Sequence, residues 1–194
     1  LGHSITLTLS ILGWLQPPIS TVEALIGFSI VLIGIENMLK RPNSPSFTVL
    51  LLVITGSLCL LVLLKLTLGI GLSILSFIGI LLFTISYLFL TKNEQGLLLQ
   101  LFLTSAFGFI HGFGFAQVLR DIGLPPSQLG VALFAFNIGV ELGQILMLSL
   151  MALALLFVAR FFPSRIAHLT YTAIICLVIG SGSYWFILRN LTLV

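Results

Sequence analysis

Three of the five acidic residues of this chain, Glu23, Glu36 and Glu141, lie inside long apolar runs, as do two of its three histidines, His3 and His111. Asn37, Asn137 and Gln144 accompany them. An ionisable group in a bilayer costs several kcal/mol, and it normally faces a cavity, a partner or a pathway. A chain that only had to fold in lipid would not place most of its acids this way. Imidazole, carboxylate and amide together suit a borderline divalent metal such as nickel, cobalt, copper or zinc.

The runs that hold these residues set the class of protein. Of 194 residues, 59% are hydrophobic and 7% charged, with a mean hydropathy of +1.26. A soluble domain carries about 25% charged residues, and disordered chains are poor in apolar ones. An all-α, polytopic transmembrane bundle remains, forming a single domain over 1–194. At ~20 residues per crossing the length suits about seven helices. Continuous apolar runs lack the alternation of a membrane barrel, and lipid offers a lone backbone no partners.

The punctuation predicts seven segments: Leu1–Leu15, Ile19–Leu39, Phe47–Leu64, Leu68–Leu90, Leu97–Leu119, Ser127–Ala159 and Ile166–Leu188. Pro17-Pro18, Pro42 to Pro45 and Pro125-Pro126 mark three of the breaks, since proline cannot continue a helix. Lys65 is taken as the divider of the third and fourth segments. Residues 47–95 read as a separable hairpin at the edge of the bundle, with no carboxylate in its spans. Lys40, Arg41, Lys92, Arg160 and Arg165 collect on one side and Lys65, Arg120 and Arg189 on the other, which puts the first side in the cytoplasm and the C-terminus outside. The expected location is a bacterial inner membrane. The chain begins at Leu1 within an apolar run, so an N-terminal portion is expected to be missing or removed. Cys59 and Cys176 are expected as buried thiols, and the scattered basic residues form no nucleic-acid patch.

Helical geometry groups the polar residues. His3, Thr6 and Ser10 share one face of the first helix, followed by Gly13. Glu23, Gly27, Gly34 and Asn37 share a stripe of the second, with Glu36 about 140° away at ~100° per residue. Asn137, Glu141 and Gln144 form a stripe on the sixth. Gly108 and Gly112 on the fifth have the spacing that lets helices touch closely. Counting ~1.5 Å per residue from the outer ends, Glu23 lies ~6 Å deep, His3, His111, Asn137 and Glu141 roughly 12–20 Å, and Glu36 ~25 Å. Each residue also has a plain structural reading. Histidines and amides can serve as packing or interhelical glue, Glu23 can be solvated at an interface, and Glu36 can pair with Lys40 at i+4. His168 reads as interfacial.

The chain resembles the HupE/UreJ family of membrane proteins. The resemblance rests on Leu1-Gly2-His3-Ser4-Ile5-Thr6-Leu7, Val22-Glu23-Ala24-Leu25-Ile26, Ile35-Glu36-Asn37, His111-Gly112-Phe113-Gly114-Phe115-Ala116 and Phe136-Asn137-Ile138-Gly139-Val140-Glu141-Leu142-Gly143-Gln144. It implies a polytopic helical protein, with nickel or cobalt permease activity attributed to some members. Those members carry a further His and Asp motif upstream of Leu1, which this sequence lacks. Residues from Phe47 to about Gln95 look inserted relative to the compact family pattern.

The reading adopted from these features is a divalent-metal permease of the nickel or cobalt type, and not an enzyme. Its metal ligands would be His3, His111, Glu141 and Asn137, with Glu23 and Glu36 at the two mouths. The partners expected are the bilayer and the metal ion, with a homo-oligomer or a membrane partner left open. No Walker motif is present. Two other classes compete. An intramembrane metal-dependent hydrolase would use Glu as general base, but a catalytic zinc usually takes three protein ligands. A structural or accessory subunit would use its polar residues only to join helices.

Overall fold

Helix ends fall where the sequence withdraws a donor or supplies a cap. In the computed structural model, residues 2–41, 45–69, 72–92, 97–123 and 125–191 are described. They form α1 (Gly2–Ile11), α2 (Ile19–Leu39), α3 (Phe47–Leu68), α4 (Ile74–Lys92), α5 (Leu97–Asp121), α6 (Leu129–Phe161) and α7 (Ser164–Leu191), with no strand among them. Pro18 precedes α2. The Ser46 side chain caps α3 by accepting from the Val49 N–H, satisfying one of the orphan donors of a first turn. Gly69 ends α3 in the left-handed conformation, φ 73°, which glycine adopts without steric cost.

The architecture is the expected all-α bundle, and two boundaries are corrected. Lys65 does not divide the third and fourth helices. It lies in the last turn of α3, and its ammonium donates to the Gly69 carbonyl at 2.8 Å. A lysine near a helix C-terminus is favoured by the dipole and the unpaired carbonyls there, so a charge in an apolar run was a poor divider. The first helix ends at Ile11, and Leu12–Leu15 turn back on it, with Gly13 at φ 78°. By length and composition, α2, α3, α6 and α7 are each able to cross a membrane. The ten residues of α1 span about 15 Å, half of the hydrocarbon core.

Two pairings organise the bundle. α2 lies antiparallel to α7: Glu23 meets Arg189, Gly27 meets Gly182, Gly34 meets Ile179 and Arg41 meets His168. A Cβ on Gly27 would sit 2.7 Å from the Phe186 backbone nitrogen, so the helices touch backbone to backbone there. α1 lies parallel to α5, with Gly2 against Ser105, Thr6 against Phe109 and Ser10 against Arg120. Parallel first and fifth helices and antiparallel second and seventh ones suit a chain whose successive helices alternate in direction.

One apolar core joins α2, α3, α4, α5 and α7 around Phe28, Leu32, Phe77, Leu88, Phe107 and Phe186. A smaller one joins α1, α5 and α6 around Leu7, Ala116 and Leu119. Residues 47–92 pair as α3 and α4, and α4 leans on α2. The rings of Phe83 and Tyr87 on α4 reach Phe107 of α5 at 5.9 Å. α6 has no buried residue and meets the smaller core through Leu133 and Phe136. Cys59 and Cys176 are free thiols on the exposed surface, not buried. In lipid the outside of a bundle is as apolar as its inside, so an apolar neighbourhood says little about burial.

Candidate metal site

The site begins with two glycines. A Cβ on Gly112 would fall 2.8 Å from the Cα of His3 and closer still to the Thr6 hydroxyl and the His3 carbonyl. On Gly2 it would fall 2.8 Å from the Ser105 carbonyl. The α1 and α5 backbones are therefore in contact, and His3 sits beside the turn that carries His111. The polar stripe of α1 faces this contact, with His3, Thr6 and Ser10 all buried. Thr6 Oγ1 donates to the Phe109 carbonyl at 2.8 Å, and Arg120 Nη1 donates to Ser10 Oγ at 2.8 Å.

His3 is 8% exposed, and among the described residues its buried Nε2 has no hydrogen-bond partner. That nitrogen lies 3.7 Å from Glu141 Oε1. The ring stands edge-on to Phe115 at 6.2 Å. His111 precedes Gly112, the α5 residue packed against the His3 backbone. The His111 Nδ1 is 2.8 Å from the Phe107 carbonyl. A carbonyl only accepts, so Nδ1 carries the proton and the neutral ring leaves its lone pair on Nε2. Asn137 donates from Nδ2 to the Leu133 carbonyl at 2.8 Å, while its buried Oδ1 has no hydrogen bond among the described residues. Glu141, one turn further along α6, has half of its side chain exposed.

The six sequence-selected residues thus occupy three places. His3 and Glu141 meet directly, with His111 and Asn137 on the same three helices, α1, α5 and α6. Glu23 lies apart, held by Arg189 at 3.0 and 3.1 Å. Glu36 is held by Lys40 at 2.6 Å and by the Tyr87 hydroxyl. Among the described residues, no group of three or more His, Cys, Asp or Glu is gathered closely enough to hold a metal ion. His111 therefore does not complete a closed triad with His3 and Glu141 in this conformation.

Sequence reasoning missed three partners: Arg189 for Glu23, Tyr87 for Glu36 and Arg41 for His168. Arg41 Nη2 donates to His168 Nδ1 at 2.6 Å, its other nitrogen bonds Thr172, and the guanidinium stacks over Tyr171 at 5.1 Å. Arg189 lies at the same outer level as Glu23, which was a usable signal. Tyr87 carried none, because nothing in sequence says which helix faces Glu36. The Glu23–Arg189 pair gives a direct test. Either Glu23→Gln or Arg189→Gln alone leaves one charge without its partner and is expected to cost on the order of 1–2 kcal/mol, discounted for partial exposure. The double variant is expected to recover part of that loss in thermal unfolding in detergent. Additive losses would show that the pair contributes nothing.

Helices long and apolar enough to cross a bilayer, packed around paired polar groups, define an integral membrane protein. The chain belongs to the HupE/UreJ family: the family model described as HupE / UreJ protein matches residues 1–73 and 68–189. The two matches meet at the α3–α4 connection and together include residues 47–95. No curated protein matches, and no solved structure matches.

Proposed function

We propose that this protein is a permease for a divalent transition metal ion of the nickel or cobalt kind, with the metal as cargo between α1, α5 and α6. The observation that carries the reading is the buried His3 Nε2, which among the described residues has no hydrogen-bond partner and faces Glu141 Oε1 at 3.7 Å. Buried polar atoms are normally satisfied, so an orphan calls for a specific explanation. Two ligands each ~2.1 Å from a common ion lie roughly 3–4 Å apart, so this pair already has the span of a metal-binding edge. Asn137 Oδ1, one turn from Glu141, is a second atom at the site left without a hydrogen bond among the described residues. The His111 tautomer leaves Nε2 as a further donor, oriented from behind by a carbonyl as metal-binding histidines are.

Transport then needs His111 to close on an edge made by His3 and Glu141, and to release it. A site that is two-sided at rest is suited to a cargo that must leave again. Glu23 and Glu36 attract the cation at the two mouths, where Arg189 and Lys40 hold their places between arrivals. The proposed setting is a bacterial inner membrane with the C-terminus outside, and no catalytic residue is assigned. The test is elemental analysis of purified protein after loading with nickel or cobalt. His3→Ala and His111→Ala are each expected to retain about tenfold less metal or lower still, since disturbing even an outer-shell partner costs that much affinity. Equal metal in all three proteins would reject the site and favour an accessory subunit.

A further inference from the structure

We infer that Tyr87, on α4, is the positioning residue for the Glu36 carboxylate, fixing one oxygen inside the bundle and leaving the other to exchange its cation at the inner mouth. Glu36 lies on the side of α2 turned away from the Gly27 and Gly34 stripe that meets α7. It is served instead by α4. The Tyr87 hydroxyl donates to Oε2, and Lys40 Nζ donates to Oε1 at 2.6 Å. The two donors differ in freedom. Tyr87 is 3% exposed, and its ring is packed by Phe83 at 6.0 Å and Phe107 at 5.9 Å. Lys40 caps the end of α2, with 59% of its side chain exposed.

A buried phenol needs a hydrogen-bond partner, and here the partner is a carboxylate, which makes the bond a strong one. Oε2 is thus anchored. Oε1 faces an exposed ammonium that another cation can replace without disturbing the anchor. The α3–α4 pair thereby takes part in the inner mouth through one side chain, whatever the rest of the hairpin does. The role in uptake rests on the permease reading, but the hydrogen-bond geometry does not.

The experiment therefore has two arms, with Tyr87→Phe, Lys40→Met, Glu36→Gln and the Tyr87→Phe/Glu36→Gln double variant. In the first arm, nickel uptake is measured in proteoliposomes. Tyr87→Phe is expected to raise KM about tenfold with Vmax unchanged, the size expected for losing a hydrogen bond to a charged group. Lys40→Met is expected to lower KM by removing the competing cation, and the double variant to match Glu36→Gln alone. A merely structural cluster predicts impairment from both single variants. In the second arm, the rate at which a carbodiimide labels Glu36 in purified protein at one pH is read by mass spectrometry. It is expected to rise several-fold in Tyr87→Phe, because the carboxyl group loses its anchor. A wild-type labelling rate overturns the inference, whatever uptake shows. Absence of uptake in every protein, with faster labelling in Tyr87→Phe, rejects the permease and keeps the anchor.

Discussion

Glu141→Gln is expected to reduce metal uptake to background while the protein still inserts and purifies. The fold asks little of this side chain. Half of it is exposed, and α6 has no buried residue, so an isosteric amide disturbs no packed core. The site asks much of it. Oε1 is the only carboxylate oxygen within 4 Å of the orphaned His3 nitrogen among the described ion pairs, and an amide oxygen carries no formal charge to offset a divalent ion. Loss of one ligand is expected to lower uptake by at least about a hundredfold, the upper end of what outer-shell changes alone cost. Glu23→Gln and Glu36→Gln are expected to do less, because those carboxylates act at the mouths. Radioactive nickel uptake at matched protein abundance checks this. A wild-type rate in Glu141→Gln would remove the central ligand from the proposal and leave His3 and Glu141 as a packing pair.

The face of a helix was legible in this sequence, and the neighbour of that face was not. The spacing of His3, Thr6 and Ser10 predicted one polar stripe, and the structure buries all three toward α5. The stripe of Glu23, Gly27 and Gly34 is likewise real, and it is the contact face for α7. Periodicity gives rotation about a helix axis and rise gives depth, but neither says which helix stands opposite. That is why the Lys40 partner of Glu36, four residues along the same helix, was readable while Tyr87 was not. It is also why Glu23 could be placed level with Arg189 without being paired to it. The α3–α4 boundary failed for a different reason. In a continuous apolar stretch a lone lysine looks like an end, yet at a helix C-terminus it is a cap. The cysteines failed because lipid and core are chemically alike, so composition cannot assign a side.

Gly112→Ala is expected to remove the site without touching any of its ligands. In a helix interior alanine is the better residue by up to about 1 kcal/mol, so the intrinsic effect of the change is stabilising. The environment reverses the sign. The new methyl group would lie 2.8 Å from the His3 Cα and against the His3 carbonyl, and these are backbone atoms that cannot rotate away. Relief requires α1 to move off α5, straining the bond from Thr6 to the Phe109 carbonyl and carrying His3 away from His111. Overpacking of this kind costs about 1–3 kcal/mol. Gly56→Ala on α3 is the control, because a Cβ there meets nothing within 4 Å, and it is expected to be neutral or slightly stabilising. The two variants share the same chemical change and differ only in surroundings, so a lower melting temperature and lost metal in Gly112→Ala alone would tie the site to the α1–α5 contact. Equal melting temperatures and equal metal content would mean that α1 is not clasped to α5 as described, and that His3 reaches Glu141 by some other arrangement.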